Sequence, residues 1–384
     1  MNEAGLHESM IADVVIVGAG PAGCSAALAL GGSGKRVLLL DKAAFPRNKT
    51  CGDSVPAHAL IGLENISPGL YDSFLQTVAS QSFRSSALVF PSGERFRFNW
   101  PLPGYVLERT AFDGFLLDRV VATTDVQVIT GLKAVDYRRD SNQVQIDTVD
   151  NTGSPGPIIS TTLVIAADGA PSLAARKLAG ILPDPARFGQ AVRCYFEGVG
   201  DTDPCMELIF YHPRFFPGYF WIFPMAGGRA NVGFGMLESF RRKSGRPLTD
   251  LFTDFREQHK AVRSILQSAR QVSPLQGGMV PFAMRKQSWS GPGYLLTGDA
   301  ASLVDPVSGD GIMQAVRSGL MAGLAVRNGE EALYGGQVEK FLWNRMKSPR
   351  RAIRIASAFP FLMSGASLLG RSPGLRRAIQ RWIW

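Results

Sequence analysis

The sequence predicts an α/β protein in which a Rossmann-like nucleotide-binding domain is joined to a separate antiparallel β-sheet domain. Three observations carry this prediction. Residues 12–17 are a short, apolar, largely β-branched run and residues 35–40 a second short run ending Val-Leu-Leu-Leu, and both read as strands buried in a parallel sheet. Between them, Gly18-Ala-Gly-Pro-Ala-Gly23 leads directly into a helix-forming stretch through Leu30, which completes one βαβ unit. From about residue 187 the pattern changes to longer strands rich in aromatic residues, as a second sheet requires.

The elements follow in order. Residues 45–56 read as a loop, and residues 110–121 have helical spacing, with Phe112, Phe115, Leu116 and Val120 on one side. Residues 126–150 alternate apolar and polar positions, the signature of an antiparallel meander, and residues 161–167 are a further buried strand. The aromatic-rich strands are expected at 191–199, 206–211, 219–223 and 230–236, with one helix spanning 248–265. Residues 294–297 return to the buried-strand style, followed by a Gly-rich turn and a helix from 311 to about 326. These readings assign residues 11–83, 105–183 and 287–335 to the nucleotide-binding domain, 84–104 and 187–286 to the sheet domain, and 336–384 to a C-terminal basic helical region.

A chain of 384 residues can enclose a large cofactor between two domains. Cys24, Cys51, Cys194 and Cys205 form no CxxC pair or framework spacing, so a disulfide scaffold and a metal site are not expected, and a reducing cytoplasm is. The net charge of +9 resides in the tail, where residues 340–384 hold ten Lys or Arg and no acid. The body is therefore electrically ordinary and calls for no nucleic-acid partner. The tail also holds Trp343, Phe359, Phe361, Trp382 and Trp384, and its apolar stretch of 15 residues, interrupted by Pro360, is too short to span a bilayer. Such a segment suits peripheral contact with an anionic membrane surface.

In the Gly-rich turn, Gly18 permits the tight bend, Gly20 lets the backbone approach a pyrophosphate, and Gly23 lets the helix pack against the strand. Pro21 and Ala22 open the helix, whose N-terminus offers free N–H groups to phosphates. Asp41 lies 18 residues beyond Gly23, placed to accept from ribose hydroxyls, and Lys42 beside it is assigned to the same site. Asp168-Gly169 and Gly298-Asp299 each end a later strand. A carboxylate at Asp299 suits the ribityl hydroxyls of an extended FAD, and the turn from Pro306 through Gly309 and Gly311 suits backbone contact with a flavin ring.

These segments resemble the flavoprotein group of p-hydroxybenzoate hydroxylase, flavin-dependent halogenases and geranylgeranyl reductases. Within it, Phe45-Pro-Arg-Asn-Lys-Thr-Cys-Gly-Asp53 is similar to the Pro-Arg-x-Lys-x-Cys-Gly-Asp loop of geranylgeranyl reductase-like proteins, and Tyr219-Phe-Trp-Ile-Phe-Pro224 to their Tyr-x-Trp-x-Phe-Pro segment. Arg109 with Phe112-Asp113 resembles the Arg-x-x-Phe-Asp piece, and Gly298 to Ile312 the flavin-contacting segment. Halogenases usually carry Gly-Glu-Ser without the preceding cysteine and Trp-x-Trp-x-Ile-Pro.

The resemblance implies an FAD-dependent oxidoreductase that saturates double bonds of an isoprenoid chain on a lipid, diphosphate or quinone. The alternatives it leaves are an oxygen-using halogenase or monooxygenase and a non-redox flavin isomerase or cyclase. It places Arg47, Cys51, Gly52, Arg109 and Ile312 at the flavin, and Tyr219, Trp221, Phe223 and Pro224 at the isoprenoid. Cys51, Tyr219 and Trp221 are the candidate catalytic residues, with thiol packing and proton delivery both open for Cys51. The electron donor is expected to be NAD(P)H or a ferredoxin-type protein.

Overall fold

The computed structural model describes residues 9–78, 81–182, 184–186, 188–200 and 202–358. The tail aromatics Phe359, Phe361, Trp382 and Trp384 lie outside these residues. Two sheets organise the chain. In the first, Ser9–Val17 is flanked by Val37–Asp41 and Ile158–Ala166, all parallel, with Gln127–Thr130 and Tyr294–Leu296 as the next parallel neighbours. Parallel strands covered on both faces must be apolar throughout, and Val37–Asp41 is buried at every position.

Residues 127–130 were expected to belong to the antiparallel meander. They instead extend the parallel sheet beside Val37–Asp41, while Lys133–Arg139 pairs antiparallel with Val144–Val149, which in turn pairs antiparallel with Ile158–Ala166. A four-residue strand with one edge neighbour leaves too short an alternation to reveal its direction.

Helix Pro21–Leu30 is buried along its whole length and packs against Ile312–Arg327. A Cβ on Gly319 would collide with the carbonyl oxygen of Ala22, and one on Gly323 would lie 2.6 Å from that of Ala26. Small residues therefore let the two backbones touch and hold the Gly-rich turn against the C-terminal segment.

The second sheet runs in the order Arg270–Gln271, Phe188–Glu197, Arg229–Leu237, Gly218–Met225, Met206–Phe210, Gln81–Val89, Arg95–Val106 and Ser54–Pro56, with Gln276–Pro281 also pairing Phe188–Glu197. Ser54–Pro56 is thus a strand, where a loop was expected through residue 56. One face of this sheet is covered by helices Leu248–Gln258 and Lys260–Leu266, with Phe210, Phe220, Phe234, Phe252 and Phe255 in the layer between. The single helix expected over 248–265 is broken at His259, whose extended backbone (φ −81°, ψ 108°) ends one helix and starts the next. Its imidazole stacks on Phe255 at 5.6 Å and 4°, and burial pushes its pKa down to about 4. His259 is a core residue in a layer on the far side of the sheet from the site described below.

Candidate active site

The other face of the second sheet, the C-terminal ends of the parallel strands and helix Ile312–Arg327 enclose one cavity of about 1570 Å³. A single small-molecule site usually occupies roughly 300–1,000 Å³. This volume accommodates a dinucleotide cofactor and a second ligand.

At one end lies the Gly-rich turn. Gly18 has φ +106°, and a Cβ there would run into the carbonyl of Ala167. A Cβ on Gly23 would strike the carbonyl oxygen of Gly18, so Gly23 works by close packing and does not itself line the cavity. Gly298, at φ +54°, behaves likewise: its N–H donates to Ser318 Oγ at 2.8 Å, and only its neighbour Asp299 faces the cavity. Asp41 accepts from the backbone N–H groups of Ala19 (2.8 Å) and Ala43 (2.9 Å), which fixes its carboxylate between the turn and the strand end.

Cations lie over this end. Arg47 pairs with Asp113 at 3.0 Å and approaches Asp41 at 3.7 Å, and one of its terminal nitrogens lies 3.2 Å from the position a Gly20 Cβ would take. Lys49 bridges to Asp299 at 2.8 Å across 250 residues of sequence. Arg109 makes a bidentate pair with Asp113 at 2.7 Å for both contacts, and both side chains are buried. Asp113 therefore receives two arginines and ties the loop 45–53 to helix Arg109–Thr123.

Asp168 lines the cavity and is also tied into the next helix. Its carboxylate accepts from Ser172 Oγ (2.6 Å) and from the N–H groups of Leu173 (2.8 Å) and Ala174 (3.1 Å), so it is engaged at the start of helix Leu173–Ala179. Both oxygens already have partners in that helix turn.

Gly20, Pro21, Ala22, Lys42, Gly52, Gly169, Pro306, Gly309, Gly311 and Ile312 also line the cavity. Tyr219, Trp221 and Phe223 alternate along Gly218–Met225 and form its wall. Pro224, expected with them, does not: one residue further along a strand, it faces the opposite side of the sheet. A Cβ on Gly233 would overlap the Trp221 ring, so the glycine of the neighbouring strand makes room for the indole.

Cys51 sits between these parts. Burial raises its thiol pKa, while the adjacent Arg109 guanidinium opposes that rise. Its carbonyl oxygen accepts from Asn231 Nδ2 at 2.9 Å. Asn231 also donates to Asp53 Oδ2 (2.8 Å) and accepts from Trp221 Nε1 (2.8 Å), and Tyr195 OH donates to the same Asp53 oxygen at 2.7 Å. Asp53 is fully buried at φ +65°, a left-handed conformation that Asp tolerates better than most residues, and burial raises its pKa to about 6. This network locks Trp221 to the Cys51 loop.

Asn231, Tyr195, Arg193 and Glu207 were not expected in the site. Arg193 donates to Asn48 Oδ1 at 2.9 Å, and its Nε and Nη1 are buried with no hydrogen-bond partner among the described residues. They come from three strands, and only the sheet register brings them together. Of this network the sequence signals reach only Cys51, Trp221 and Asp53, the last as the end of the Cys-Gly-Asp run.

Residues 11–326 match the FAD binding domain family. The chain belongs to it. Within the family, the chain is 30% identical over 376 residues to a menaquinone reductase of Mycobacterium tuberculosis, covering 95% of this chain and 88% of that one. It is 35% identical over 317 residues to digeranylgeranylglycerophospholipid reductase 2 of Methanopyrus kandleri, covering 81% and 76%. A geranylgeranyl bacteriochlorophyll reductase-like protein of Thermoplasma acidophilum has the same fold, with a TM-score of 0.75 at 23% identity over 90% of this chain and 87% of that one. Flavin-dependent halogenases share the fold as well, so the fold alone does not choose the chemistry.

This member of the geranylgeranyl reductase-like branch is an FAD-dependent oxidoreductase. Its residues fit the cofactor. Gly20 leaves its backbone bare toward the cavity, the helix N-terminus at Pro21 opens onto the cavity, and Arg47 lies above it to meet phosphate charge.

Proposed function

We propose that this flavoprotein reduces carbon–carbon double bonds of an isoprenoid chain carried on a lipid or quinone. The observation that carries the reading is the continuity of one cavity from the glycine cradle to a wall of aromatic residues. An apolar chain laid on that wall passes the Cys51–Gly52 segment, where Phe223 lies 3.2 Å from the position of a Gly52 Cβ. Bound FAD, once reduced, supplies the hydride. The protein's own contribution is to hold the alkene in place and keep water away. Tyr219 donates to the carbonyl of Ser308 at 3.3 Å and so joins the aromatic wall to the Pro306–Gly311 turn.

The Cys-Gly-Asp run and the Tyr-x-Trp-x-Phe-Pro strand favour this reading over the oxygen-using one, as does similarity to proteins named menaquinone reductase and digeranylgeranylglycerophospholipid reductase 2. The test is anaerobic: the flavin is reduced chemically, a digeranylgeranyl lipid or a prenylated quinone is added in detergent, and the product is weighed. Gain of two hydrogens per double bond is expected. An isomer of unchanged mass, or a product formed only with oxygen and halide, would overturn the reading. NAD(P)H and a ferredoxin-type protein are the candidate donors, and the same assay run with each in place of the chemical reductant separates them.

We also assign the substrate's approach to the basic C-terminal side. Phe341, Arg345, Met346, Pro349, Ala352 and Ile353 contribute to the cavity wall, while Lys347, Arg351 and Ile355 of the same segment are exposed and lie off it. No helix of the described residues is long and apolar enough to cross a membrane. A segment with one face on a lipid-sized cavity and a basic, partly apolar face outside suits docking on an anionic bilayer. Replacing Lys347 and Arg351 with Glu should release the full chain from anionic vesicles while FAD content stays normal; unchanged co-sedimentation would refute the assignment.

A further inference from the structure

Glu207 is a carboxyl that the reaction above has not used. It lies on Met206–Phe210, directly opposite Ser86 of the neighbouring parallel strand, on the sheet face that also carries Ile209 and Tyr211 into the cavity. The residue is only 6% exposed. Its Oε2 accepts from Ser86 Oγ at 3.0 Å, and that hydroxyl in turn accepts from Trp100 Nε1 at 2.8 Å. Its Oε1 has no hydrogen-bond partner among the described residues.

A charged carboxylate with one bare oxygen in an aromatic cavity is costly, and such a group holds its proton instead. Burial accordingly raises Glu207 to about 7, with a further push from the like charge of Asp310 and opposition only from the hydroxyls of Ser54 and Ser86. The Tyr219 hydroxyl on the adjacent element also feels the Glu207 charge, and no cation among the described residues is one of the main groups acting on Glu207. Because Oε2 is an acceptor to Ser86, the proton belongs on Oε1.

The other raised acids at the cavity differ: Asp310, raised by burial to about 6, accepts from the N–H of Met313 at 3.2 Å at the start of helix Ile312–Arg327. Asp53 is held by Tyr195 and Asn231 with Arg193 and Arg109 nearby, which makes it a structural node. The Cys51 thiol is raised by burial and sits beside Arg109, so it is a weaker proton source at neutral pH.

We propose that Glu207 is the acid that delivers a proton to the substrate double bond, an inference that rests on the reductase reading above. In the step, the π bond of the alkene breaks. One carbon forms a C–H bond with the proton leaving Oε1, and its neighbour forms a C–H bond with the hydride from bound reduced flavin, which is thereby oxidised by two electrons. Glu207 is left as a carboxylate and regains its proton from solvent before the next turnover.

The experiment uses full-length protein loaded with FAD, as wild type, Glu207→Gln and Glu207→Asp. Wild type must first add two hydrogens per double bond to the lipid; no conversion would bring down the reductase reading, and the role assigned to Glu207 with it. Flavin reoxidation by the lipid is then followed without oxygen across pH. In wild type the rate should fall as pH rises above about 7, whereas Glu207→Gln should be about 10²- to 10⁴-fold slower with that limb gone, and Glu207→Asp should recover part of the rate. Lipid binding, read from the perturbed flavin absorbance, should stay within about threefold, since Gln preserves size and polarity. Independently of turnover, infrared difference spectra should show a protonated-carboxyl band near pH 6 that fades by about pH 8.5 and is missing from Glu207→Gln. A Gln variant within about threefold of the wild-type rate, or no such band, would overturn the proposal.

Discussion

At the nucleotide end of the cavity the binding surface is mostly backbone, and its carboxylates already have partners within the protein. Asp41 holds two N–H groups, Asp113 holds two arginines, and Asp299 holds Lys49. At the aromatic end the surface is mostly side chain, and the Glu207 carboxyl keeps one oxygen without a hydrogen-bond partner among the described residues. The first arrangement suits a cofactor that stays bound; the second leaves a reactive group facing a ligand that comes and goes. The contrast separates what the protein fixes permanently from what it exposes to chemistry.

The largest expected effect breaks the first end alone. Gly23→Val would drive two methyl groups and a Cβ into the Gly18 carbonyl, whose position is itself set by contact with Ala167. The turn cannot yield without unpairing the parallel strands Ser9–Val17 and Ile158–Ala166. FAD retained after desalting should fall by about 100-fold or more, while the second sheet keeps its near-ultraviolet signature. Normal flavin content would show that the cradle is not what holds the cofactor.

The same contrast explains what could be read from sequence. Gly18, Gly20 and Gly23 act through the shape of a local backbone, so six consecutive residues between a strand and a helix state their purpose. Asp299 and Cys51 were placed by short runs that resemble other flavoproteins. Glu207, Asn231, Tyr195 and Arg193 were not legible, because each sits in an ordinary alternating strand. Their meaning depends on pairing such as Ser86 with Glu207 across 121 residues, and no local pattern encodes it. Pro224 erred for the related reason that a resemblance segment names consecutive residues, whereas a strand exposes only every second one to a given face.

The next largest effect probes the aromatic end through pH. Glu207 is raised from its ordinary 4.5 to about 7 in the folded protein, so its contribution to stability is complete below about 4.5 and is lost as pH rises through about 7. Roughly 3 kcal/mol is at stake. Glu207→Gln has no such proton to lose, so the stability difference between variant and wild type should grow in the variant's favour across that window. Asp53, raised to about 6, contributes in the same direction but is present in both proteins and cancels. Denaturant unfolding of the pair at matched pH values measures it, and a pH-independent difference would mean that Glu207 is not shifted.

Asn231→Ala tests the join between the two ends. It removes the acceptor for Trp221 Nε1 and the donor to both Asp53 and the Cys51 carbonyl, leaving buried polar groups without partners. About 2 kcal/mol of stability should be lost, with Trp221 fluorescence shifted. Unchanged stability would show that the Cys51 loop is held from the arginine side alone.

The smallest effect belongs to Lys49. Its bridge to Asp299 is short, but the lysine is 40% exposed, so water screens the pair. Lys49→Ala should therefore cost under about 1 kcal/mol of stability. FAD affinity separates the partners: Asp299→Ala removes a carboxylate placed for ribityl hydroxyls and should weaken binding more than Lys49→Ala, which removes only a neighbouring cation. Equal losses in the two variants would mean that the ion pair itself, rather than the carboxylate, shapes the cofactor end. Asp299 would then resemble Glu207 less as a ligand-facing acid and more as part of the permanently paired frame that holds Asp41 and Asp113.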